Sequence, residues 1–132
     1  MMKNKILAFI TNGHKFLALR NNSEDIANGS DYWFVVTGSV EEESFEDAVK
    51  REVKEETSLD VKKILNLNTS SVYEWSGEKF HEYNYLAFVT NDKVRLNEEH
   101  TEFKWLDLED FLNMIRWDDD KAVLKKILKS KM

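Results

Sequence analysis

The stretch Ser44-Phe45-Glu46-Asp47-Ala48-Val49-Lys50-Arg51-Glu52-Val53-Lys54-Glu55-Glu56-Thr57 limits what this chain can fold into more than any other part of it. It reads as an amphipathic helix opened by Ser44, a residue type that caps helix N-termini well. With about 100° of rotation per residue and Phe45 at zero, Ala48, Val49 and Val53 lie on one apolar stripe. Glu52 then falls at about 340° and Glu56 at about 20°, inside that stripe, with Glu55 on its flank at about 280°. Asp47, Lys50 and Lys54 take the opposite side. A helix that buries this stripe brings carboxylates with it, and an unpaired buried charge is strongly unfavourable.

Three explanations are open. The helix end can project beyond the core, with solvated glutamates paired to Lys or Arg at i±3 or i±4. One glutamate can be a raised-pKa acid or base, which accounts for one buried carboxyl and not three. Or the cluster can hold a hard divalent cation, Mg2+ or Mn2+, which offsets the mutual repulsion of the carboxylates. The preceding residues favour the cation. Tyr32-Trp33-Phe34-Val35-Val36 reads as a short buried strand running into Thr37-Gly38. A strand, turn and helix in that order can aim backbone amides at phosphate oxygens, beside which a caged cation can bind a polyphosphate.

The rest of the chain supplies the sheet. Each of the four glycines follows a small polar residue, at Asn12-Gly13, Asn28-Gly29, Thr37-Gly38 and Ser76-Gly77, and these pairs are expected to mark turns. Ile6–Ile10 and Phe16–Leu19 flank Asn12-Gly13 as a hairpin. Ser71–Trp75 and Phe80–Val89 flank Ser76-Gly77 as a second one. Glu102–Leu106 is a further short strand. Asp107 caps a helix carrying Leu108, Phe111, Leu112 and Ile115. Asp118–Asp120 open a last helix with Ala122, Val123, Ile127 and Leu128 at helical spacing. Strands interleaved with three helices predict one mixed α/β domain over residues 1–132, with helices packed on a sheet.

Composition excludes several alternatives. At 132 residues with 42% apolar and 12% aromatic side chains, the chain can bury a real core. There is no cysteine, so neither a disulfide framework nor a thiolate metal site exists. Five apolar residues near the N-terminus are too few for a membrane span or a signal core. A cytoplasmic protein that does not bind membranes is expected. The net charge of −6 argues against a nucleic-acid partner. It is also local, because residues 41–60 hold nine acids and three bases while the remainder balances.

The region Gly38 to Leu59 resembles the Nudix box, whose pattern is G-x5-E-x7-R-E-U-x-E-E-x-G-U with U a bulky aliphatic. Glu43, then Arg51-Glu52-Val53-Lys54-Glu55-Glu56, matches position for position. Two positions depart: Thr37 stands where the pattern has its first glycine, with Gly38 one residue later, and Ser58 replaces the late glycine. The resemblance implies a Nudix-type α/β/α sandwich with a mixed sheet. It implies that Glu52, Glu55 and Glu56, with backbone from Gly38, hold Mg2+, with Mn2+ as a substitute. Arg51 would orient the cluster, and Glu43 would brace the loop.

The resemblance also implies hydrolysis of a nucleoside diphosphate linked to another group. Glu52 is one candidate base, and Glu99 is the other, with Glu98 and Glu102 as rivals in the same acidic loop. The box is similar to the branch that hydrolyses dihydroneopterin triphosphate and deoxynucleoside triphosphates, and the later segment is equally similar to dinucleoside tetraphosphate hydrolases. A non-catalytic nucleotide sensor and an acidic module for a basic partner are the alternatives from other classes. Trp33, Phe80 and Tyr83 are candidates to touch a base, as is Trp75. Arg20 is a candidate to reach phosphate, as is His81. A homodimer is expected only by analogy with relatives.

Overall fold

Ile6–Ile10 is an unbroken apolar run, and a strand that reads this way has to be covered on both faces. In the computed structural model, which describes residues 1–132, it is the middle of β1 (Met2–Thr11), with every residue from Ile6 to Ile10 at most 1% exposed. The other strands are β2 (Phe16–Asn21), β3 (Trp33–Phe34), β4 (Val36–Ser39), β5 (Val61–Trp75), β6 (Glu78–Val89) and β7 (His100–Leu106). The sheet runs β3-β2-β1-β6-β5, with β4 also paired to β1 and β7 to β2. The β1–β6 ladder is parallel and the others are antiparallel, so the sheet is mixed.

Helices cover both sides. α2 (Phe45–Thr57) packs Ala48, Val49 and Val53 on Ile6, Ala8 and Ile10. α3 (Leu108–Met114) and α4 (Lys121–Ser130) pack Phe111, Leu112, Leu124 and Leu128 on the opposite face, against Leu7, Phe9 and Phe16. Each such fully buried side chain contributes about 1.5–3 kcal/mol of transfer free energy. The arrangement is the expected α/β/α sandwich.

Several expectations are corrected in detail. The Asn12-Gly13 turn forms, with Asn12 Oδ1 accepting from the amides of His14 and Lys15, but the hairpin ends at Thr11↔Phe16. Beyond it β2 leaves for β3 and β7 while β1 takes β4 and β6. The Ser76-Gly77 hairpin forms too, with φ of 53° and 79°, as a two-residue turn between paired strands requires. Its first strand starts at Val61 and not at Ser71, with a register shift between Asn66 and Ser70 that hides the alternation. Tyr32–Val36 is not one strand: Val35 leaves the ladder, so β3 pairs with β2 and β4 with β1.

There are four helices, since α1 (Ser23–Ala27), capped by Asn22, buries nothing and leaves no apolar periodicity. On α4 the buried side chains are Leu124 and Leu128; Ala122 and Val123 are exposed and Ile127 is half-buried. Gly38 does not turn the chain but lies in β4. No helix is long and apolar enough to cross a membrane.

Candidate functional site

α2 delivers the acidic residues as the helical spacing requires. Ser44 caps its N-terminus by accepting from the Asp47 amide at 3.1 Å. Glu52 and Glu56 are 9% and 2% exposed, whereas Glu55 lies at the rim with its carboxylate in solvent. The helix N-terminus is not an anion seat, because its own cap fills it and Glu46 and Asp47 surround it.

Arg51 ties this surface together. Its Nε and Nη2 donate to both oxygens of Glu43, its Nη1 to Glu52 Oε1 at 2.7 Å, and its Nη2 also to the Ser39 carbonyl at 3.0 Å. Glu55 is 3.4 Å from the same guanidinium. The Glu43 carboxylate also accepts from the Glu41 amide, closing the loop before α2 on itself. The hydrogen bond from Arg51, followed by the Glu41 amide, holds the Glu43 carboxyl below its usual pKa. The same pairing pushes the Arg51 guanidinium up.

Glu56 behaves differently. Burial first, then hydrogen bonding with Glu52 and the charges of Glu99, Glu52 and Glu55, push its pKa up to about 10. Its Oε1 contacts His100 Nε2 at 2.7 Å, and its Oε2, fully enclosed, has no hydrogen-bond partner. Burial also lowers the His100 pKa. Both shifts favour uncharged forms, so the contact is a hydrogen bond between neutral groups and not an ion pair. His100, at the start of β7, is the residue that sequence reasoning missed. Its only signal was its place in the acidic loop, because the contact to Glu56 spans 44 residues of chain.

The three α2 carboxylates do not converge on one point as a ready-made ligand set. Glu52 is turned toward Arg51, Glu56 toward His100, and Glu55 outward. A Mg2+ ion needs no such cage, since it binds through one or two carboxylates and keeps several waters. The orphaned Glu56 Oε2 beside Glu52 supplies that minimum. Gly38 keeps the space, because a Cβ placed on it would overlap the Glu52 carboxyl. The residues therefore fit a divalent cation.

Among the loop acids, Glu99 is exposed and joined to Asn97, but its charge acts on both Glu56 and His100. Glu102 faces Arg20 instead, at 3.4 Å, and Glu98 is exposed.

An open cavity of about 890 Å³ lies on the other face of β4, where Thr37 and Lys5 line it and Gly38 does not. None of Glu43, Arg51, Glu52, Glu55 or Glu56 lines it.

The chain matches the NUDIX domain over residues 1–127. This chain belongs to the Nudix family. Its structure is similar to that of a Caenorhabditis elegans Ap4A hydrolase in a binary complex, at 23% identity and TM-score 0.76, over 98% of this chain and 97% of that one. The Escherichia coli dihydroneopterin triphosphate pyrophosphohydrolase gives 24% identity and TM-score 0.72, over 96% of each chain. A MutT protein from Methanosarcina mazei gives 27% identity and TM-score 0.68, over 98% of this chain and 91% of that one. No curated protein sequence matches the chain.

Within the Nudix box, Ser58 takes the left-handed conformation usually given to glycine, with φ 65°. Its hydroxyl donates to the Arg95 carbonyl and its amide to the Lys54 carbonyl, which offsets part of the strain. Outside the box, the four residues expected to touch substrate are scattered. Arg20 is held by a two-point pairing with Asp31 at 2.7 and 2.8 Å, and by Glu102. Trp33 lies in a separate shallow depression with Glu102 and Lys104. Phe80 is buried between Tyr73 and Lys5. Tyr83 lies on the α2 side against Phe45, stacked on His81. The aromatic groups that do line the cavity include Trp75 and Trp117.

Proposed function

We propose that this chain is a Mg2+-dependent pyrophosphohydrolase acting on a single-base nucleoside triphosphate or its dihydroneopterin analogue. The observation that carries this reading is the Glu56 carboxyl, sealed on one oxygen by His100 and unpartnered on the other. Such a group is poised to lose its proton to a cation. Glu52, Glu55 and Glu56 would hold the metal, with backbone from Gly38. When bound, a divalent cation supplies charge withdrawal from the phosphate oxygens and a lowered pKa for water.

The chain's own groups do the rest. Arg51 fixes the Glu52 side chain and ties it to Glu43, so the carboxylate cannot swing when substrate arrives. Glu52, or Glu99 from the facing loop, takes the proton as water attacks the α-phosphorus and the anhydride P–O bond to the leaving pyrophosphate breaks. His100, hydrogen-bonded through Nε2 to Glu56 Oε1, fixes that side chain and leaves Oε2 free of protein partners. One cavity of this size, beside one acidic cluster, suits a single base better than two. The chain would be cytoplasmic, and a homodimer is the expected assembly by analogy alone.

The test is a phosphate- and pyrophosphate-release screen over nucleoside triphosphates, dihydroneopterin triphosphate, ADP-ribose and diadenosine tetraphosphate, with and without EDTA. The proposal expects metal-dependent release of pyrophosphate from a triphosphate. Nucleotide binding with no metal-dependent release of phosphate or pyrophosphate from any of these compounds would establish a non-catalytic sensor instead.

A further inference from the structure

The floor of the cavity contains a buried acid that the hydrolytic chemistry does not use. Glu82 of β6 is 8% exposed and lines the cavity, yet it has no ion pair. Its cross-ladder neighbour, Lys5, lies over the Phe80 ring, 5.5 Å from the centroid. One carboxylate oxygen, Oε2, accepts from the Tyr73 hydroxyl at 3.1 Å. The other makes no hydrogen bond within the chain and is not sealed off as Glu56 Oε2 is. A carboxylate buried with spare acceptor capacity and no contact ion pair is unfavourable unless something donates to it. Burial raises its pKa, while Lys5 and the Tyr73 hydroxyl pull it back.

The cavity also constrains the ligand by charge and shape. Asp118, Asp119 and Asp120 also line the cavity and, with Glu74 and Glu82, outnumber Lys5 and Arg116, so a polyphosphate is disfavoured there. Trp75 and Trp117 provide flat apolar walls. The floor wants hydrogen-bond donors, and the walls want a planar ring.

We infer that this cavity binds a heterocycle presenting a ring N–H beside an exocyclic NH2, the edge shared by guanine and pterins, with Glu82 accepting both. Adenine offers one donor and one acceptor on the corresponding edge, and hypoxanthine lacks the amino group. Tyr73 is a positioning residue: its hydroxyl fixes the carboxylate and leaves lone pairs on both oxygens for the ligand. The inference deepens the proposed function, on which it rests for the triphosphate, but it concerns the base site alone.

The experiment is metal-free equilibrium binding of guanosine, neopterin, inosine and adenosine in EDTA, followed by tryptophan fluorescence. Guanosine or neopterin is expected to bind at least about 10-fold more tightly than inosine and adenosine, the scale of one hydrogen bond to a charged group. Whichever of the two binds more tightly identifies the ring. Glu82→Gln should abolish that preference while leaving inosine binding within about twofold. Tyr73→Phe, which loosens the carboxylate without removing it, should shrink the preference and leave inosine binding unchanged. Equal binding of guanosine, neopterin and inosine, or an equal loss of all ligands in Glu82→Gln, overturns the inference. Metal-dependent hydrolysis without base preference would sink this inference and leave the proposed function standing. Selective metal-free binding without hydrolysis would do the reverse.

Discussion

The two faces of the sheet solve opposite problems with the same strands. Under α2, one continuous helix brings Arg51, Glu52, Glu55 and Glu56 to a single surface, and nearly every charge there has a named partner. Under α4 the helix covers the sheet chiefly with Leu124 and Leu128, and beside it lies a cavity whose wall comes from five strands, two loops and the helix itself. Reaction chemistry demands a few groups in fixed relation, which one helix provides through its pitch. Recognition demands a shape, which requires many segments.

The comparison breaks most readily at Glu56. Glu56→Gln should lower kcat by more than about 100-fold, since even outer partners of metal-binding groups cost 10–100-fold, while KM and the circular dichroism spectrum stay nearly unchanged. A kcat within threefold of wild type at saturating Mg2+ would remove the acidic cluster from the chemistry.

The same substitution has a metal-free signature. The folded pKa of Glu56 lies above its ordinary 4.5, at about 10, so its contribution to stability is present below 4.5 and is lost as pH rises toward 10. In EDTA, the Tm of wild type should fall relative to Glu56→Gln between pH 5 and 9. Parallel Tm curves for the two proteins would contradict the raised pKa.

On the cavity side the expected pattern is inverted. Trp75 is 71% exposed, so Trp75→Ala should leave Tm nearly unchanged. It should raise KM about five-fold or more, from a stacking contact of about 1–3 kcal/mol, with kcat held. If kcat falls and KM does not, the two faces do not divide the labour in this way. The smallest effect is at Ser58: Ser58→Gly relieves the left-handed backbone but loses the bond to Arg95. The two nearly cancel, for a net gain of at most about 1 kcal/mol in chemical denaturation.

What could be read beforehand follows the same division. The stripe position of Glu52 and Glu56, the Ser44 cap and the two Asn-Gly and Ser-Gly turns were legible because each is set within a few residues. The pairing of His100 with Glu56, the splitting of Tyr32–Val36 between β2 and β1, and the burial of Glu82 depend on partners far along the chain. Phe80, Tyr83 and Trp33 were plausible base contacts by residue type, yet strand alternation and ladder choice placed them apart. Val123 looked internal from spacing alone, but α4 is rotated so that Leu124 points inward.

The parallel ladder between β1 and β6 has a consequence for synthesis of the chain. Met2 pairs with Lys79 and Thr11 with Phe88, partners separated by 77 positions. At ribosomal rates of about 5–20 residues per second, β1 waits roughly 4–15 s for its neighbour to be made. Throughout that interval β4 can pair only with Lys5–Ala8, and the β6 edge of the apolar run Ile6–Ile10 stays open on a nascent chain, the kind of segment that chaperones capture and that aggregates when they do not. Translation that pauses before residue 78 should therefore lower the soluble yield more than a pause of the same length after residue 106.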